Sequence, residues 1–225
     1  MYATPVTSVA RDIEILTESG PLHGFLAIPP GATGIVLFAH GSGSSRLSPR
    51  NQQVADELQE AGLATLLFDL LTHHEEQVDR FSAHLRFDIG LLARRLEAAT
   101  EWTLKESTTR DLSIGYFGAS TGAAAALVAA AAYPETIKAV VSRGGRPDLA
   151  GEALARVAAP TLLIVGGDDT PVVGLNRHAM RQMTAPVQLE IIPGASHLFE
   201  EPEALEQVSA IAADWFAFHL GSGSR

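Results

Sequence analysis

No cysteine occurs anywhere in the 225 residues. That excludes disulfides, zinc–thiolate centres and a thiol nucleophile, and it fits a reducing compartment. Positive charge is also scarce: 16 Lys and Arg against 26 Asp and Glu leave a formal net charge of -10. Such a balance repels nucleic acid and anionic membranes, so neither is an expected partner. There are no internal repeats, and no linker is long enough to divide domains. The opening "MYATPVTSVARD" has neither a basic start nor an apolar centre, so no signal peptide is expected and the expected location is cytoplasmic. One domain over residues 1–220 is expected, with "GSGSR" (221–225) as a flexible tail.

Charge is missing locally as well, from Leu112 to Tyr133. A membrane span is one reading of so long a neutral run. The Gly-Ser break in its middle, with a β-rich first half and an alanine-rich second half, points instead to a buried strand entering a buried helix.

Hydrophobic residues make up 46% of the chain, enough for a substantial core. Apolar runs at 12–17 and 22–29 flank "ESGP" and predict an antiparallel hairpin. Strands are then predicted at 34–40, 63–70, 111–118, 137–143, 161–167 and 187–193. Helices are predicted at about 49–61, 82–105, 121–132, 148–156, 172–183 and 203–219. In the 82–105 helix Leu85, Ile89, Leu92, Leu96 and Ala99 share one face, with Arg86, Arg94, Arg95, Glu97 and Glu101 elsewhere. In the last helix Leu205, Val208, Ile211, Trp215 and Phe218 are expected to face the sheet. Strands nearly continuous in apolar character, alternating with helices, predict a mostly parallel sheet covered on both faces.

In such a sheet the carboxyl ends of the strands share one crevice. "HGSGSS" follows the 34–40 strand, "GASTG" (118–122) the 111–118 strand, "GGDDTPVV" the 161–167 strand and "GASHLF" the 187–193 strand. Ser120, an aspartate and His197 thus fall on one edge, in the chain order Ser, Asp, His of an α/β-hydrolase triad. Small residues at 118 and 122 let a strand turn sharply into a helix and expose Ser120. A serine hydroxyl needs a base within reach, and His197 is the candidate; that imidazole needs an anion to fix its tautomer. The backbone N–H of Thr121 and that of Ser42 are the candidate oxyanion donors.

These motifs resemble the α/β-hydrolase fold, most closely its small lidless members similar to dienelactone hydrolases, over nearly the whole chain. The resemblance implies an α/β-hydrolase fold with an N-terminal antiparallel hairpin, helices on both faces and no separate lid domain. Dienelactone hydrolases proper use a cysteine nucleophile, which this chain lacks, so a serine esterase variant is implied. The G-x-x-D-x-x-V spacing familiar from the fold favours Asp169 over Asp168 as the acid. The resemblance also implies a structural His40, because the fold uses the backbone there. The implied function is hydrolysis of carboxylic esters with small or medium acyl groups through an acyl-enzyme, with no cofactor, in a monomer or homodimer. Acyl transfer, perhydrolysis and a catalytically silent binding protein are the alternatives.

Three features stand outside the triad. "THHEEQVD" (72–79) offers His73, His74, Glu75, Glu76 and Asp79 but no three-ligand metal spacing, and reads as a polar loop beside the cleft. Arg143 and Arg146 in "SRGGRPD" are candidates for holding an anionic substrate group, with salt bridging inside the loop as the plainer alternative. Arg46 and Arg50 carry the same pair of readings.

Overall fold

The computed structural model describes residues 10–221. Most of the expected tail, and the first nine residues used against a signal peptide, lie outside that range. Among the described residues, eight strands form one sheet in the order β1-β2-β4-β3-β5-β6-β7-β8. β1 (Arg11–Thr17) and β2 (Gly20–Ala27) make the expected hairpin, and β2 joins β4 (Ala64–Phe68) antiparallel. β3 (Gly34–Ala39), β5 (Ser113–Ala119), β6 (Ile137–Arg143), β7 (Thr161–Gly166) and β8 (Val187–Ile192) continue the sheet in parallel with β4. This is the expected architecture, and no lid domain stands apart from it among the described residues.

The two-residue period of a strand explains why central strands are apolar throughout. In β3, Ile35, Leu37 and Ala39 enter one core while Val36 and Phe38 enter the other. The first core lies under α3 (Ile89–Lys105) and α4 (Thr121–Ala132); the second lies under α1 (Pro49–Glu60) and α6 (Ala204–Leu220). Each fully buried large apolar side chain contributes about 1.5–3 kcal/mol. The neutral run 112–133 is β5 followed by α4, and no helix among the described residues is long and apolar enough to cross a membrane.

Several expectations are corrected. Helix 82–105 is broken: α2 spans His73–Ser82, Ala83 takes a left-handed turn at φ 53°, and α3 starts at Ile89 with Asp88 as its cap. Residues 72–79 are therefore largely helix, not loop. Thr72 and Glu75 form a reciprocal capping box, with Thr72 N–H donating to Glu75 at 2.8 Å and Glu75 N–H to Thr72 Oγ1 at 3.2 Å. The corner is set by Asp79, which accepts Leu85 N–H at 2.7 Å and Arg86 Nε at 2.5 Å.

Arg95, placed away from the buried face, is itself buried because Glu75 (2.5 Å) and Thr17 (2.9 Å) meet its guanidinium. In α6 the buried ladder runs Val208, Ala212, Phe216, Leu220 at four-residue steps, leaving Phe218 77% exposed. The short helix at 148–156 is a 3-10 segment, Pro147–Arg156, interrupted at Gly151.

One close approach positions everything that follows. α4 begins where β5 ends, and a Cβ on Gly122 would overlap the carbonyl oxygens of Ala39 and His40 at the end of β3. Those atoms are backbone and cannot swing aside. Gly122→Ala is expected to cost about 3 kcal/mol, roughly 6–12 °C in Tm for a chain of this size; an unchanged melting curve would contradict the packing.

Asp79→Ala is expected to destabilise by about 3 kcal/mol, as the loss of a buried ion-pair partner does. Burial alone raises the Asp79 pKa, but hydrogen bonds from the Arg86 side chain and the Arg86 and Leu85 backbone outweigh it, for a net fall below 3.8. This stabilisation is therefore complete above the ordinary carboxylate value and is lost as pH falls through the depressed one. Urea midpoints of wild type and variant should differ at neutral pH and converge only in strong acid.

Candidate active site

Ser120 sits between β5 and α4 with φ 50° and ψ -119°, a conformation that a residue with a Cβ rarely adopts. Backbone bonds hold it there. Its N–H donates to the Arg143 carbonyl at 3.2 Å, and its own carbonyl accepts Ala123 N–H and Arg146 N–H, each at 3.1 Å. A Cβ on Gly41 would lie 3.1 Å from the Ser120 Cβ, so the loop after β3 runs directly beside this serine.

Asp169 opens α5 (Thr170–Met180), with its backbone N–H on the Gly166 carbonyl at 3.1 Å. Its Oδ2 lies 2.7 Å from His197 Nδ1, so an Nδ1–H donates to the carboxylate and leaves Nε2 free to accept a proton. Asp169 is the more enclosed partner, 14% exposed at the side chain against 40% for His197. Asp168 is exposed, and among the described residues only its backbone is engaged, with N–H on the Ala195 carbonyl at 3.0 Å.

His197 and Ser120 are not hydrogen-bonded to each other among the described residues, but both rest on the segment after β6. A Cβ on Gly144 would stand 3.7 Å from His197 Cε1, while Arg143 and Arg146 bracket Ser120 through the backbone. Such contacts are commonly loose in the absence of substrate.

Thr121 N–H, first in α4, has no partner among the described residues. Ser42 N–H donates to the Thr121 hydroxyl at 3.0 Å, so the two expected donors lie side by side, one of them engaged. His40 fixes this loop: Nδ1 bonds the Gly41 carbonyl at 3.0 Å and Nε2 accepts Leu70 N–H at 3.1 Å. Burial lowers its pKa, with the Gly41 bond and nearby carboxylates opposing, so the ring is a neutral brace. A cavity of about 530 Å³ opens on Gly41 and Ser42, with Asp69, Asp79, Arg50 and Arg86 in its walls.

The arginines divide. Arg146 is paired on two atoms with Asp148, at 2.9 and 2.8 Å, as a loop salt bridge. Arg46 is ion-paired with Asp69. Arg143 is buried, and no such partner reaches it among the described residues. His73 and His74 are exposed on α2, and among the described residues no group of three His, Asp or Glu side chains is arranged to hold a metal ion.

Sequence reasoning missed two supports. Glu201 accepts Ser196 N–H at 3.0 Å and steadies the histidine loop; hydrogen bonding from Ser196 lowers its pKa. Phe199, buried at a positive φ of 55°, anchors the same loop. No local signal marks either one, since both act through the tertiary path of the loop.

Known proteins share this arrangement of elements. A solved dienelactone hydrolase from Anabaena variabilis is 60% identical, with a TM-score of 0.93, and the match covers 95% of this chain and 99% of that one. Est1E from Butyrivibrio proteoclasticus superposes with a TM-score of 0.78 over 94% of this chain and 99% of its own; at 17% identity the likeness is one of fold. A Mycobacterium tuberculosis (strain H37Rv) protein named provisionally as a phosphoribosyl transferase is 56% identical over 212 residues, covering 93% of this chain and 47% of that protein. The chain thus spans about half the length of this curated relative. The sequence profile of the dienelactone hydrolase family matches residues 22–218, and the chain belongs to that family.

Proposed function

We propose that this hydrolase cleaves carboxylic esters of small or medium acyl groups by a Ser120–His197–Asp169 mechanism. The observation that carries the reading is the 2.7 Å Asp169–His197 bond on the segment that also holds the strained Ser120. His197 Nε2 takes the Ser120 proton as Oγ attacks the ester carbonyl. Asp169 stabilises the imidazolium that forms.

The tetrahedral oxygen is met by Thr121 N–H and by Ser42 N–H, which exchanges its bond to Thr121 Oγ1 for one to substrate. Each such donor lowers the barrier by about 2.7–4 kcal/mol. His197 then protonates the leaving alcohol, and water, activated in the same way, releases the acyl group. The cavity beside Ser42 receives part of a small-molecule substrate. The transferase name of the M. tuberculosis protein belongs to a chain about twice as long.

A fluorophosphonate probe is expected to label Ser120, identified by peptide mass analysis, and Ser120→Ala is expected to abolish both labelling and turnover. A labelled serine elsewhere, or none in folded protein, overturns the mechanism. Asp169→Asn should lower kcat by about 10⁴-fold, while Asp168→Asn should leave it within a few-fold; equal, mild effects would reject Asp169 as the acid. Added alcohol or peroxide as competing acceptors would reveal acyl transfer or perhydrolysis through new products.

A further inference from the structure

Asn176 is a fully buried amide that the mechanism above leaves unused. It lies on α5 two turns beyond Asp169, on the same side of the helix. Its Nδ2 donates to the Gly145 carbonyl at 3.0 Å and to the Val172 carbonyl at 2.8 Å. Two carbonyl acceptors fix the orientation of the amide, because the reverse would set oxygen against oxygen. Its Oδ1 is sealed from solvent and meets no partner among the described residues. A buried acceptor left unmet is costly, so what Asn176 contributes is the donor aimed at Gly145.

The peptide it holds is tightly enclosed. A Cβ on Gly145 would overlap Ser142 Oγ and lie 2.6 Å from the Ala123 Cβ, so this backbone is pressed between β6 and the first turn of α4. The carbonyl of the Gly145–Arg146 peptide accepts from Asn176, and the N–H of the same peptide donates to the Ser120 carbonyl at 3.1 Å. The Ser120 carbonyl belongs in turn to the Ser120–Thr121 peptide, whose N–H is the first oxyanion donor. Its other partner, Ala123 N–H, comes from α4 itself, so the Arg146 bond is the one made from outside the helix.

Each peptide here is planar and trans, so its C=O and N–H point in opposite directions and fixing one aims the other. The Asn176 amide, the 145–146 peptide and the 120–121 peptide therefore stand head to tail, and the series ends on Thr121 N–H. Hydrogen bonds in series also polarise one another, by about 10–30% per bond. The terminal N–H is thereby a stronger donor to an oxygen that is gaining charge.

We propose that Asn176 is a positioning residue for the oxyanion hole, holding and polarising Thr121 N–H through two peptide units. This rests on the reading of Ser120 as the nucleophile and of Thr121 N–H as an oxyanion donor. The oxyanion develops on the way to the tetrahedral intermediate, so the contribution falls on kcat and not on KM.

Asn176→Leu nearly keeps the volume and removes the donor. Its kcat for p-nitrophenyl butyrate is expected to fall about tenfold, less than the roughly 10²–10³-fold loss of a whole oxyanion donor, with KM nearly unchanged. A wild-type kcat in folded variant, or a loss carried by KM, overturns the proposal. An asparagine that only ties α5 to the loop would lower Tm and leave the kcat of folded enzyme alone.

Amide NMR of wild-type protein decides the matter if the variant does not fold. Phenylboronic acid is added to form a tetrahedral adduct on Ser120, reported by a boron signal that Ser120→Ala protein lacks. The Arg146 backbone amide and the Asn176 side-chain amide are expected to move downfield together as the boronate oxygen loads Thr121 N–H. An adduct that leaves both resonances in place overturns the relay and leaves the nucleophile standing. Turnover that survives Ser120→Ala, with no adduct on wild type, overturns the nucleophile and the relay with it.

Discussion

The contact of α4 with the carboxyl ends of β3 and β5 is the constraint from which the site is built. Gly122 allows the helix to start against the Ala39 and His40 carbonyls, so the chain must turn within Ser120 itself. A backbone at φ 50° costs about 1–3 kcal/mol for a residue with a Cβ. The alanine-rich helix behind it, buried on nearly every side, supplies the compensation through helix propensity and close packing against the sheet. Larger residues in that helix would hold it off the sheet, and the strain at Ser120 would have nothing to enforce it.

The segment 143–146 carries the constraint outward. Ser120 is bonded to the Arg143 carbonyl and the Arg146 N–H, Gly144 N–H donates to the Ile164 carbonyl of β7 at 2.8 Å, and buried Asn176 of α5 donates to the Gly145 carbonyl at 3.0 Å. The same short run thus touches the serine and the strand and helix that flank Asp169, and it lies against His197. Residues 77 apart in sequence (197 − 120) thus meet on one short segment, held by backbone bonds to Ser120 and Ile164 and by the Asn176 side-chain amide.

Much of this was legible beforehand because the signals are local. Strand runs, the Gly118–Gly122 turn and the order Ser120, Asp169, His197 are written in consecutive residues, and parallel topology places strand ends together. What was not legible depends on distant partners. Arg95 reads as a surface cation until Glu75 and Thr17 are brought over it, and Phe218 reads as core because α6 is apolar on more than one face. The break at Ala83 follows from Asp79 collecting two N–H groups and a guanidinium. Its sequence marks, the capping pair Thr72 and Glu75 and the cap Asp88, are weaker than the helical periodicity that spans them. Between Asp168 and Asp169 periodicity is silent, and only the turn after β7 separates an exposed carboxylate from one facing His197.

The costly features are not spread evenly. The strained serine, a buried cation that no counter-ion reaches among the described residues, and a histidine loop with Phe199 and Glu203 at positive φ all lie at the carboxyl edge of the sheet. The opposite edge and both cores carry ordinary apolar packing, and the buried ion pair of Arg95 is satisfied by an acid. Arg95, Arg86 and Arg146 each have an acid to meet them, whereas no acid reaches Arg143 among the described residues. Neutralising Arg143 would therefore relieve a cost that the resting protein bears at the same edge as the strained Ser120.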